Sequence, residues 1–318
     1  MKIKYISILT VITLCTIILS CNQEHESKYL KLTGPYFEQK LPGFIPEVFA
    51  PGIISKTGNH LHSCVSFSPD GKEIYFTYRT YEPVIKNTIY FMKQENNMWT
   101  KPQIAPFSGT YSDDGSTFSP DGKRLYFNSS RPVDSSDKSD DLNFWYVNRA
   151  GPGWGKPVYG GDILNTDSCE FRLSIADNGT IYLSSDRDYS GRREFDIFTL
   201  EYVKGDYAEP TIMDEAITTS ITEQICFISP DESYIVFYRY NPNLPEDTGL
   251  YISFRNKNDS WSEGKNMGKL INEPIELVTQ FASLSPDRKH MFFLRRYDEA
   301  VYWVNANIIE DLKPTDLK

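Results

Sequence analysis

Short apolar runs alternate with polar turns along this chain, and one unit of run, turn and run recurs. Its clearest copy, Phe67–Phe76, sets Ser-Pro-Asp-Gly-Lys between two β-prone segments. Proline presets one turn dihedral angle and glycine supplies a positive one, so the unit predicts a tight β-hairpin. One further copy is nearly identical and three are diverged; these copies begin at Phe118, Ile175, Ile228 and Leu284.

The copies are evenly spaced, with steps of 51, 57, 53 and 56 residues between Asp70, Asp121, Asn178, Asp231 and Asp287. After a hairpin come a polar loop with an arginine, a third β run such as Leu142–Val147, and an aromatic-to-proline step such as Trp99–Pro102. Four short antiparallel strands in each period are the pattern of one blade of a β-propeller. The sequence therefore predicts an all-β protein.

The repeat also resembles a known family. A Ser-Pro-Asp-Gly-Lys hairpin followed by a Tyr-Phe strand and Ser-x-Arg is similar to the TolB-type, WD-repeat-like propeller repeat, and the likeness covers roughly residues 46–306. The resemblance implies a propeller. It implies little about activity, because propellers host many unrelated functions.

The two ends of the repeat region complement each other. Pro46–Ala50 resembles Pro102–Pro106, which is the fourth strand of a blade, whereas the last repeat stops after its third strand, Val301–Val304. We therefore predict five four-stranded blades closed by the N-terminal strand, which leaves no free sheet edge. A six-bladed ring would need a further copy, which we do not find. The propeller domain is assigned to residues 46–318.

The N-terminal region predicts export. Lys2 and Lys4 precede an apolar run that ends at Cys21, which resembles a bacterial lipoprotein signal with Cys21 as the lipidated residue; a membrane anchor is the alternative. Residues 1–20 are assigned to the signal peptide and 21–45 to a tether. The acidic start of the tether is either a plain linker or a surface-export signal. We expect an outer-membrane lipoprotein, periplasmic or surface-exposed, and monomeric.

Charge narrows the range of partners. The chain of 318 residues carries a net charge of −10, which becomes −12 once the signal peptide and its two lysines are removed. So acidic a protein is poorly suited to binding nucleic acid or anionic lipid through bulk charge. Contact with the membrane is expected only through the lipid on Cys21.

The candidate site is the mouth of the central channel, where the loop entering the innermost strand and the loop after the second strand share one face. Counting back five residues from each equivalent of Phe118 selects His62, Asp113, Glu170, Glu223 and Thr279. The loop after each second strand contributes an arginine to the predicted site: Arg79, Arg131, Arg187, Arg239 and Arg295. Tyr78, Tyr81 and Tyr240 are predicted as aromatic neighbours. We predict that these residues bind a ligand; the alternative is that the arginine–carboxylate pairs fasten the blades.

Metal binding is a weaker hypothesis, and no cofactor is predicted. If the strand alternates regularly, His60, His62 and Cys64 share one face and could hold a soft metal ion with Glu170 or Glu223 nearby; polar channel lining is the alternative. The acidic loop Asp134–Asp141 could suit calcium, but it lacks an ordered ligand spacing and is better explained as solvated.

Enzyme signatures are mostly missing from the sequence. The Gly-x-Ser-x-Gly elbow of a serine hydrolase is absent. One catalytic alternative remains, a glycan-active hydrolase or lyase, which would need suitably separated carboxylates and could use Asp113, Glu170 and Glu223. The main hypothesis is a non-catalytic, lipid-anchored envelope propeller. Its channel mouth would bind an envelope protein, a small ligand or a glycan.

Overall fold

The protein is a five-bladed β-propeller in a computed structural model that describes residues 31–56, 58–137, 141–187 and 194–317. The predicted signal peptide, the lipidation site Cys21 and the first part of the predicted tether lie outside these residues. Each blade is an antiparallel sheet; in blades 1 to 4 the strands follow one another in chain order outward from the channel, whereas the outermost strand of blade 5 comes from the N-terminal segment. The prediction of an all-β, five-bladed fold is confirmed.

From the channel outward, blade 1 contains His60–Leu61 with Ser66–Phe67, Glu73–Thr80, Lys86–Glu95 with Met98–Trp99, and Gln103–Ile104. In the same direction, blade 2 contains Asp113–Phe118, Arg124–Ser129, Asn143–Ala150 with Gly153–Trp154, and Val158–Tyr159. Blade 3 contains Glu170–Ile175, Ile181–Ser185, Asp196–Leu200 and Thr211–Ile212, with a hairpin of Tyr202–Val203 and Asp206–Tyr207. Blade 4 contains Thr222–Ile228, Tyr234–Tyr240, Gly249–Phe254 and Lys265–Asn266. Blade 5 contains Thr279–Leu284, His290–Arg295, Ala300–Asn305 and Glu47–Val48.

Helices in the described residues are short and lie in connections between strands or in the terminal segments. The α-helices are Lys269–Asn272 and Ile308–Leu312, and the 3₁₀ helices are Pro35–Glu38, Pro245–Asp247, Ile275–Leu277 and Thr315–Leu317. None of them is long and apolar enough to cross a bilayer.

The repeated turn folds through its serine. The Ser68 hydroxyl donates to the Asp70 carboxylate at 2.6 Å and accepts from the backbone N–H groups of Lys72 and Glu73. Gly71 takes a positive φ of 70°. The serine thus satisfies the N–H groups at the turn while glycine removes the steric penalty, and the second copy of the motif repeats the arrangement.

The ring closes as the sequence predicts. Glu47 pairs with Trp303 and Val48 pairs with Tyr302, so the N-terminal strand completes blade 5. Phe49 follows it into the core, where its ring centroid lies 5.1 Å from that of Trp303 and 4.9 Å from that of Phe292. This pairing covers the outer edge of the third strand of blade 5, which would otherwise be free to pair with another chain.

Part of the segment predicted to be a tether is packed on the ring. Phe37 is fully buried and contacts Phe49 and Trp99, while the Trp99 indole N–H donates to the Gly34 carbonyl at 2.8 Å. A solvated linker does not describe residues 33–39. The tether prediction rested on the polar and acidic residues 22–27 and on Pro35, Pro42 and Pro46, and it overlooked the burial of Phe37.

Apolar side chains fill the space between blades. The buried residues form five clusters, and each cluster combines residues of two adjacent blades. The cluster between blades 5 and 1 holds Trp303 and Phe76, for example. The channel is therefore lined mainly by the innermost strands, with the hydrophobic core arranged around it.

Candidate functional site

Each innermost strand is interrupted near its middle. The register shifts between Asp114 and Thr117 in blade 2 and between Phe171 and Leu173 in blade 3, and equivalent shifts occur in blades 4 and 5. In blade 1 the strand stops at Leu61 and resumes at Ser66. Bulges redirect side chains. In this ring they break the strict alternation of side chains along the strands that line the channel.

Three blades meet at one buried carboxylate in the channel. Asp114 of blade 2 has an exposed fraction of 1%, and its Oδ2 lies 2.8 Å from Nδ1 of His62 in blade 1. Arg172 of blade 3 approaches the same oxygen at 3.5 Å and stacks its guanidinium on Phe281 of blade 5, 4.0 Å from the ring centroid. These side chains occupy the middle of the channel.

Charge and burial act together in this cluster. Burial works to raise the pKa of Asp114, but Arg172 and His62 outweigh it and hold that pKa below the usual range. Burial lowers the pKa of His62, and Asp114 opposes this only in part. The carboxylate is therefore ionised and balanced chiefly by Arg172.

A funnel opens above this cluster on the face of the loops that follow each second strand. Its larger cavity measures about 640 Å³ and adjoins a second of about 390 Å³, and the two share His62, Phe171, Gln224 and Arg296. The larger one is also lined by Arg79, Asn87, Asp141, Leu142, Asp167, Ser168, Cys169, Asp186 and Phe195. Cavities of this size suit a small molecule or a short peptide segment.

The carboxylates predicted at the mouth are buried inside their own blades. Asp113, Glu170 and Glu223 each have an exposed fraction of 0% and line neither cavity of the funnel. Asp113 pairs with Arg131 at 2.8 Å, and Glu223 pairs with Arg239 at 2.9 Å. The prediction that these acids face the opening is wrong. They form ion pairs within single blades, whereas the alternative interpretation had such pairs fasten one blade to another.

These acids also hold the incoming loop. Glu170 accepts from the hydroxyl and the N–H of Thr166, and Glu223 does the same with Thr219. Arg187 lies 3.6 Å from Glu170. Burial raises the pKa of Glu170 to about 7, and Thr166 and Arg187 offset this only in part. Burial likewise raises the pKa of Glu223.

Blade 5 lacks the acid, and its arginine has another role. Thr279 donates its hydroxyl hydrogen to the Ile271 carbonyl, and Arg295 donates to the carbonyl of Glu273 at 2.9 Å while stacking on Tyr302. Arg295 lines neither cavity of the funnel. Among the predicted binding residues, the structure brings only His62 and Arg79 to the larger cavity.

The three tyrosines predicted as aromatic neighbours of the site do not all lie on the funnel face. Tyr81 and Tyr240 are exposed by 50% and 47% on the face of the funnel, and Tyr240 lines the second cavity. Tyr78 is instead half-buried and donates its hydroxyl hydrogen to the Ile54 carbonyl.

The structure separates the three side chains of the metal hypothesis. His60 contacts Glu299, His62 contacts Asp114, and Cys64 contacts Ser283 of blade 5. Because the strand ends at Leu61, regular alternation does not continue to Cys64. Burial also raises the pKa of the Cys64 thiol to about 12, which disfavours the thiolate that metals bind.

Sequence reasoning missed Asp114, Phe171, Arg172, Gln224 and Arg296. Asp114, Phe171 and Gln224 each stand one place after a chosen residue, on the opposite side of the strand, and Arg172 is the bulged residue two places after Glu170. Arg296 directly follows Arg295. A doubled charge, as in Asp113-Asp114 and Arg295-Arg296, is the only sequence signal that could have indicated two roles at adjacent positions.

No protein-family model and no curated protein matches this chain. Solved structures with a similar fold include a protein described as TolB from Agrobacterium tumefaciens, at 15% identity over 74% of this chain and 70% of that one, with a TM-score of 0.47. TolB from Acinetobacter baumannii matches at 13% identity over 77% of this chain and 54% of that one, with a TM-score of 0.44. A puromycin-hydrolysing peptidase of Mycobacterium tuberculosis matches at 12% identity over 72% and 33%, with a TM-score of 0.41.

The class of this protein therefore follows from its own strand order: it is a five-bladed β-propeller closed by its N-terminal strand. Two of the similar structures carry the name of the family that the repeat resembles. Function has to be argued from the funnel, because fold alone does not define it.

Proposed function

We propose that this chain is a non-catalytic binding propeller of the cell envelope that holds a protein partner at the funnel. Anchoring through a lipid on Cys21, as the N-terminal sequence predicts, would place it on a membrane surface. The observation that carries the proposal is the funnel itself, an open cavity of about 640 Å³ lined by charged and aromatic side chains.

An apolar rim surrounds part of the funnel and favours a protein as the partner. In blades 1, 4 and 5 the end of the second strand or the loop after it exposes apolar side chains by 47–66%: Tyr81, Val84, Ile85, Tyr240 and Tyr297. Exposed apolar side chains gathered on one face are typical of a protein-interaction surface. Aromatic residues in particular supply contact area while keeping a polar group in water.

The glycan-active alternative has weaker support. Asp113, Glu170 and Glu223 are enclosed in their blades, and catalytic acids of a glycosidase must flank the bond that they cleave. The acids that do line the larger cavity are Asp141, Asp167 and Asp186. Asp186 already accepts a hydrogen bond from the Cys169 N–H at 2.7 Å.

Substitution of the rim tests the proposal. Tyr81→Ser combined with Tyr297→Ser should abolish capture of a partner by the mature protein in its native envelope, measured by cross-linking and mass spectrometry. The control is Tyr202→Ser, because Tyr202 is exposed by 47% in the blade 3 hairpin at the end of the molecule away from the funnel. Equal capture by all variants would exclude the funnel face.

A further inference from the structure

Charge divides the funnel into two sides. Blades 5 and 1 are adjacent in the ring and contribute Arg296 and Arg79, whereas blades 2 and 3 contribute Asp141 and Asp167. All four side chains line the same cavity. A ligand inside it therefore meets positive charge on one side and negative charge on the other.

Neither arginine forms an ion pair with a carboxylate in the described part of the chain, although the buried Asp114 acts on Arg79 through its charge. Arg79 donates from Nε to the Asn87 side-chain oxygen at 2.8 Å, and Arg296 forms no ion pair with a described residue. Burial lowers the pKa of Arg79; Asp114 and Tyr81 oppose this in part, and the charge of Arg296 adds to it. Two guanidinium groups that repel each other on the same side of a cavity would be stabilised by an anion bound between them.

The aspartates on the other side are also available. Asp167 is exposed and Asp141 is half-buried, and within the described ranges neither forms an ion pair. The same cavity is also lined by Phe171, Phe195 and Gln224, which are apolar or neutral. These four charged side chains of the funnel are thus not joined to one another in salt bridges.

We propose that the funnel takes a dipolar segment of the partner, with a carboxylate at Arg79 and Arg296 and an ammonium or guanidinium group at Asp141 and Asp167. The proposal rests on the proposed function and adds the chemistry and the orientation of the inserted group. Arginine suits the carboxylate because its planar guanidinium can donate two parallel hydrogen bonds. Opposed charges also orient the segment, since its reversal would place like charges together.

Binding of three short peptides to the mature protein tests this proposal by calorimetry at low and moderate salt. The first peptide is tetra-alanine with free termini, and the second is Asp-Ala-Ala-Lys capped at both ends. The third, Asn-Ala-Ala-Gln capped at both ends, is the neutral control. At least one charged peptide should bind 10-fold or more tightly than the neutral one, and added salt should reduce the difference. Binding of the first alone identifies chain termini as the source of the charges, and binding of the second alone identifies side chains.

Single substitutions test which side of the funnel binds the negative group of the peptide and which binds the positive group. Arg296→Gln and Asp167→Asn should each remove 5-fold or more of the preference for the charged peptide. Arg295→Gln is the matched control, since Arg295 is adjacent in sequence but lies outside the funnel. Thermal melting of each variant checks that it folds.

Equal binding of charged and neutral peptides, or no binding of either charged peptide at millimolar concentration, would overturn the dipolar proposal. Either result leaves the proposed function standing if the rim variants still lose their partner. Loss of charge preference in Arg295→Gln as large as in Arg296→Gln would overturn the assignment of the positive side.

Discussion

Gly115 lies where the chain redirects the side chains of blade 2. Its φ is +59°, in the left-handed region, and a Cβ built there would lie 2.6 Å from a terminal guanidinium nitrogen of Arg172. Glycine thus has two functions at this position. It permits the bulge, and it leaves room for the arginine that balances Asp114.

Replacing this glycine should separate the two effects. Gly115→Ala should destabilise the protein by about 2–3 kcal/mol, because strain at positive φ adds to displacement of Arg172. Gly151→Ala is the matched control, since Gly151 has the same φ of +59° with no atom near the added Cβ, and it should lose only about 1 kcal/mol. Denaturant unfolding measures both. Equal losses of stability in the two variants would show that the contact with Arg172 does not contribute to the effect of Gly115→Ala.

At the scale of elements, the hairpins were predictable and the faces of the strands were not. Ser68, Asp70 and Gly71 form their turn from contacts within six residues, so the sequence determines it locally. Which side of an innermost strand meets the channel depends on the bulge in that strand, which contains Gly115 at φ +59° in blade 2 and Arg172 at φ +63° in blade 3. Counting along the strand therefore selected Asp113, whereas the channel residue is its neighbour Asp114.

Glu170, which holds its incoming loop to blade 3, should make the stability of the folded protein depend on pH. Burial raises the pKa of this carboxyl to about 7 in the folded protein, above its value in the unfolded chain. The folded state then binds the proton more tightly. This contribution to stability is complete below about pH 4, the unfolded range of a glutamate, and is lost as the pH rises through about 7.

Glu170→Gln removes this titration. From pH 4.5 to 8 the free energy of unfolding of the wild type should fall relative to that of the variant, by as much as about 3 kcal/mol at 1.36 kcal/mol per pKa unit. Urea unfolding at a series of pH values measures the difference. The exposed Glu201 gives the control Glu201→Gln, which should follow the wild type. Parallel curves for wild type and Glu170→Gln would contradict the raised pKa.

At the scale of the whole molecule, residues far apart in sequence close the ring. Phe49 is fully buried between the N-terminal segment and blade 5, and it contacts Phe37, Phe292 and Trp303. The sequence predicted the strand pairing of Glu47–Val48, because that segment has the pattern of a fourth strand. It did not predict the packing of Phe37, because no repeat describes the segment before the first blade.

Phe49→Ala should therefore destabilise both blade 5 and blade 1, which meet where the ring closes. Loss of a buried phenylalanine costs about 3–5 kcal/mol, a large part of the stability of a typical domain. Hydrogen exchange should accelerate in Ala300–Asn305 and in Ser66–Phe67, while Ile181–Ser185 in blade 3 keeps its protection because its contacts are unchanged. Phe44→Ala is the control, since Phe44 belongs to the same segment and is exposed by 52%. If Phe49→Ala accelerated exchange uniformly in all five blades, the ring would open only by unfolding as a whole, and the termini would not be its weakest point.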